Sequence, residues 1–109
     1  MTVDAKIKAA LDVFGDPIEN GSYRGEKNRY YVFNYFTSGV IFADDSPGAE
    51  VYSIQVHFFA PLNENITKRV KETKNALFCA GFTWPRLTNA SDEESRHIVF
   101  ECETVEGVD

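Results

Sequence analysis

From Val51 to Phe59 apolar and polar residues alternate. Tyr52, Ile54, Val56 and Phe58 fall on one side, and Ser53, Gln55 and His57 on the other. A repeat of two is that of a strand, and one apolar face with one polar face predicts an antiparallel sheet covered on one side. The repeat then changes. Pro61 ends the strand, and Ile66, Val70, Thr73, Leu77 and Ala80 recur at helical spacing with Ala76 beside them. This predicts a helix running to about Ala80, capped by Asn63 or Asn65. An earlier helix is predicted from Val3 to Phe14, where Val3, Ile7, Ala10, Leu11 and Phe14 share a stripe. Thr2 is its N-cap, Asp4 sits near its positive end, and Gly15 followed by Asp16-Pro17 stops it.

The remaining segments have weaker patterns. Residues 18–29 are polar with two glycines and predict an exposed loop with a short extended piece near Ile18. Tyr30–Phe36 is aromatic and predicts a strand with both faces partly covered. Gly39–Ala43 is a second extended piece, and Asp44-Asp45-Ser46-Pro47-Gly48 a polar turn. Phe82–Trp84 is a short strand candidate closed by Pro85. Residues 88–95 form a polar, acidic loop. The last strand, His97–Thr104, puts Ile98, Phe100, Cys102 and Thr104 on one face and Val99, Glu101 and Glu103 on the other. The order is α-β-β-β-α-β-β, an α+β fold with two helices on one face of a mostly antiparallel sheet. Ile54, Val56, Val70, Leu77, Ile98 and Phe100 are the predicted core.

Length and charge narrow the function classes. The 109 residues fit one domain, spanning 1–109, and suffice for a core without metal or disulfide. The formal net charge of −6 disfavours gripping nucleic acid by its phosphates. Cys79 and Cys102 are read as buried free thiols in a reducing cytoplasm. The N-terminal stretch is not a signal peptide, and no apolar run approaches the ~20 residues of a membrane span.

Candidate chemistry is sparse. His57 and His97 have no metal-binding spacing with each other or with the cysteines, so no metal or cofactor is expected. No nucleophile motif is present, and the clustered carboxylates Asp44-Asp45 and Asp92-Glu93-Glu94 lie in polar turns, where they are solvated. No enzymatic role is expected. Lys68, Arg69, Lys71 and Lys74 fall within seven residues of the second helix. They form either a solvated outer face or a docking surface for an acidic neighbour, a second copy of this chain included. Tyr30, Tyr31, Phe33, Tyr35 and Phe36 are denser than one sheet face needs, which makes Tyr31 and Tyr35 interface candidates beside Asp44 and Asp45. The strand Arg29–Phe36 could also accept an added strand from a partner.

The segments VDAKIKAALDVFGDPIENG, RYYVFNYF, VYSIQVHFFAPLNENITKRVKETKNALFCAGFTWP and RHIVFECETVEG, taken in order, resemble the small tail terminator (tail completion) proteins of tailed bacteriophages and prophages. The resemblance implies an α+β fold with helices on one side of a sheet and no catalytic residues. It implies a homo-oligomer, often a hexameric ring, that caps the tail tube and joins it to the head connector. The implied partners are the tail tube and connector proteins, with genomic DNA only as passing cargo. The implied location is the host cytoplasm during assembly and then the virion tail. The alternatives are a protein- or peptide-binding module of similar fold, and a small enzyme or ligand-binding domain using His57 or His97.

Overall fold

The computed structural model describes residues 2–43 and 46–107. Helix α1 covers Val3–Leu11, and a 3-10 turn continues it over Asp12–Phe14. The Thr2 hydroxyl caps it by accepting the Ala5 amide at 3.2 Å. Gly15 ends it at φ 76°, a left-handed conformation that a side chain would resist. Strand β1 (Ile18–Asn20) follows, then β2 (Tyr30–Ala43) and β3 (Ser46–Pro61). Helix α2 covers Thr67–Cys79, and β4 (Arg86–Asn89) and β5 (Ser95–Gly107) complete the chain. The N-cap of α2 is Ile66, not Asn63 or Asn65 as expected; Asn65 stands one residue before it, where its carboxamide oxygen accepts the Thr67 amide at 3.1 Å.

The sheet order is β1-β2-β3-β5-β4. Every pairing is antiparallel except β1 with β2. Both helices lie on one face, as the α-β-β-β-α-β-β pattern predicts. Val3, Ile7, Leu11 and Leu77 from the helices meet Tyr31, Phe33, Ile54, Val56, Phe58, Ile98 and Phe100 from the sheet. All six predicted core residues join this cluster, Val70 as a partly buried member.

Three strands precede α2, but they are not the three segments expected. The piece near Ile18 is the strand β1. The segments Tyr30–Phe36 and Gly39–Ala43 are one 14-residue strand. A register shift between Thr37 and Gly39 absorbs the break in the pattern, and the Ser38 hydroxyl donates there to the Val51 carbonyl at 3.3 Å. Ser46-Pro47-Gly48, expected in a turn, begins β3. Beyond the second helix, Phe82–Trp84 is not a strand. Thr83 hydrogen-bonds Glu103 through both its amide and its hydroxyl, but ladder pairing starts only at Arg86. Pro85 cannot donate, which delays the ladder by one residue. Part of the expected 88–95 loop is therefore β4, and β5 runs three residues past Thr104.

The molecule measures 54 × 24 × 23 Å. Its length comes from the distal parts of β2, β3 and β5, which run on past the helices as an arm.

Candidate functional site

The basic face of α2 is smaller than its sequence implies. Lys68 and Lys71 are exposed. Arg69 turns inward, pairs with Asp16, and lays its guanidinium 4.8 Å from the centre of Phe14 and 5.4 Å from that of Phe58. It is a structural tie between α2 and the end of α1, not a docking residue. Lys74 lies 5.5 Å above the Trp84 ring, and Phe78 meets Trp84 edge-on. Phe78 and Trp84 are both more than half exposed, a surface aromatic pair that helix periodicity alone did not single out.

Tyr31 is not at the surface. It is 0% exposed, and its hydroxyl meets the Thr73 hydroxyl at 2.8 Å. Thr73 in turn donates to the Arg69 carbonyl at 2.8 Å, so Tyr31 is the donor to Thr73. Burial holds the Tyr31 hydroxyl above its ordinary range, partly offset by its bonds to Thr73 and Arg69. The interface role expected of Tyr31 is therefore excluded: the face of β2 that bears it points at the helices. Tyr35 is on the same face and half-buried, and its hydroxyl donates to Asp4, which raises its pKa. Asp44 and Asp45 lie outside the described residues.

The cysteines divide. Cys102 is buried, and burial followed by the charge of Glu103 pushes its thiol up to about 12. Such a thiol is unreactive. Cys79 is exposed, contrary to expectation, because it sits on the outer side of α2 one step off the inner stripe.

The outer, helix-free face of the sheet carries two different surfaces. At the proximal end Tyr23, Tyr30, Phe59 and His97 form a row of stacked rings with successive centroids 4.4, 4.8 and 4.1 Å apart. Loop residues 21–23 border this row and leave a cleft of about 350 Å³ lined by Val32, Asn34, His57 and His97 among others. His57 Nδ1 and His97 Nε2 are 2.8 Å apart, and Asn34 Nδ2 lies 3.5 Å from His57 Nε2. Burial, reinforced for His57 by the neighbouring His97, holds both imidazoles below their ordinary value of 6.5. Ring centroids 5.1 Å apart for a 2.8 Å nitrogen contact set the rings end to end, with lone pair and proton aimed at each other. A metal between them would have about 1.4 Å on each side, where zinc needs about 2.0 Å. The pair is thus a hydrogen bond between neutral rings. Among the described residues no group of three or more His, Cys, Asp or Glu could hold a metal ion.

At the distal end the arm exposes apolar residues on both of its faces, Phe36 (61%), Ile41 (49%) and, on β5, Val105 (51%) on the outer face, and Val40 (43%) and Phe42 (66%) on the opposite one. Nothing in the described chain covers them. Patches of exposed apolar residues on a projecting element mark contact surfaces. In the sequence the same residues read only as strand formers. Phe36 is exposed because it points away from the helices, and Val40, Ile41 and Phe42 because β2 runs on past the break expected at Ser38-Gly39.

No protein-family model and no curated protein matches this chain. A solved structure that carries no functional name matches over 98% of this chain and 88% of its own, with a TM-score of 0.61 and 8% identity. At that identity the likeness shows the fold: two helices against an open five-stranded α+β sheet. No helix of the described residues is long and apolar enough to cross a membrane.

Proposed function

We propose that this chain is a structural subunit of phage tail assembly, which caps the tail tube, stops its elongation and joins it to the head connector. It works as an oligomer through protein contacts, without catalysis, in the host cytoplasm and then in the virion tail. Besides the resemblance, the arm is the observation that supports this reading. A compact helix-covered body extends a sheet that bears Phe36, Val40, Ile41 and Phe42 into solvent, a shape suited to contacting neighbours in an assembly rather than to enclosing a substrate. The acidic balance fits a conduit that must not hold DNA.

A second reading, a peptide-binding module outside the virion, has the open edge of β2 in its favour. β1 closes this edge only at residues 31–33.

Electron microscopy of particles assembled without this chain separates the two. Tail tubes of irregular length, unattached to filled heads, are the expected result. Normal tails would remove the terminator reading.

A further inference from the structure

The strand β2 contains no charged residue and no proline anywhere from Tyr30 to Ala43. β1 pairs with it only at Tyr31, Val32 and Phe33. From Asn34 to Ala43 the side of β2 away from β3 has no strand partner among the described residues. The Tyr31 amide bonds outward to Pro17 and the Phe33 carbonyl accepts Gly21 from the same side, so by alternation Tyr35 and Thr37 also aim their backbone groups outward.

Edges of this kind recruit other strands unless they are blunted by charge, proline or brevity. Each of the other edges of this sheet is blunted. β1 has three residues, follows Pro17 and carries Glu19. β4 has four, follows Pro85 and opens with Arg86. The stretch of β5 beyond Thr83 carries Glu106. Among the described residues β2 alone offers a longer open edge free of charge and proline, Asn34–Ala43; register shifts at Thr37/Gly39 and Ile41/Phe42 interrupt it, so Asn34–Thr37 is its regular part.

We propose that this edge is covered by the same edge of a second copy, the two β2 strands running antiparallel about a two-fold axis. Charge permits this occupant. The chain carries −6, all of it outside Asn34–Ala43, so two copies can approach without like-charge repulsion where both are neutral. Antiparallel pairing also sends the two acidic bodies to opposite ends of the shared sheet, whereas parallel pairing would set them side by side. Distances across a 54 Å molecule far exceed the Debye length of about 10 Å. Pairing would add neighbours from the second copy on both faces of β2, beside Phe36 and Ile41 on one and Val40 and Phe42 on the other, which the single chain leaves exposed. This inference describes the free chain and does not rest on the tail reading.

The test is the mass of the purified chain in solution, by light scattering on size exclusion at millimolar concentration, with amide exchange read alongside. The expected mass is twice 12.3 kDa, with the Tyr35 and Thr37 amides protected and losing protection on dilution. Thr37→Pro removes an N–H that faces away from β3 and is tolerated in an edge strand, so it should give a folded single copy. Phe36→Lys should do the same by placing a charge on the edge. A species of 12.3 kDa throughout would overturn the pairing. A double-mass species that both variants leave intact, at unchanged thermal stability, would also overturn it.

Discussion

The two ends of the β2–β3 hairpin are built from the same strands and held by the same ladder, yet they serve different ends. In the proximal half Tyr31, Phe33, Ile54, Val56 and Phe58 are 0 or 1% exposed beneath α1 and α2. Its outer face is packed with stacked rings, and it is flanked by β1 on the β2 side and by β5 on the β3 side. In the distal half no helix lies below, the β2 edge is open, and Phe36 and Phe42 are more than 60% exposed. Aromatic density is therefore not one signal. The same residue type is core where a helix faces it and exposed surface where none does, as at Phe36 on the outer face and Phe42 far along the arm. The difference teaches that the core is confined to one end of the sheet, and the proposed reading gives assembly to the other.

The comparison breaks most sharply at the core. Leu77→Ala should cost roughly 2–5 kcal/mol in denaturant melting, since Leu77 is fully buried against the sheet. The double change Phe36→Ser and Phe42→Ser should cost far less, within about 0.5 kcal/mol each, the range of exposed positions. Equal losses would erase the distinction between the two ends.

A smaller effect is expected from the polar link under α2. Tyr31→Phe removes the donor to Thr73 and should cost about 1 kcal/mol by thermal melting. No loss would mean that the hydroxyl pair does not tie β2 to the helix.

The proximal cleft sharpens the comparison through pH. His57 and His97 are held neutral, with His57 Nδ1 against His97, Asn34 beside its other nitrogen, and the carboxylates of Glu101 and Asp92 within electrostatic reach. A lowered folded pKa means the unfolded chain binds protons first. Stability is therefore fully present above 6.5 and is lost as pH falls through the lowered values. His57→Phe should flatten that slope of melting temperature against pH. A slope unchanged in the variant would show that other groups cause it.

The smallest effect belongs to the helix surface. Lys68→Glu with Lys71→Glu should leave melting within about 0.5 kcal/mol, because exposed charges contribute little. It should weaken assembly on tail tubes at low salt if that face docks. Unimpaired assembly would leave these lysines as a solvated face.

Much of the fold was legible in the sequence because its signals are local. The alternation at Tyr52–Phe58 and the stripe Ile66–Leu77 each need only a few residues of context, and both place side chains where the structure has them. The strand ends were not legible. Ser38-Gly39 and Ser46-Pro47-Gly48 read as breaks, but pairing with Val51 and with residues 42–43 carries the ladder across them. The roles of Tyr31 and Arg69 depend on which side of a strand or helix meets the other layer, and composition does not tell. The contact between His57 and His97 joins residues forty positions apart through the register of β3 with β5, which no spacing in the sequence announces.

The most direct test of the account is electron microscopy of particles assembled with the Phe36→Ser, Phe42→Ser chain, after its melting has been shown to match that of the unaltered protein. If assembly resides in the arm, tails should be of irregular length and detached from filled heads although the subunit is folded. Uniform tails joined to heads would contradict the account, because the exposed arm would then have no part in capping the tube.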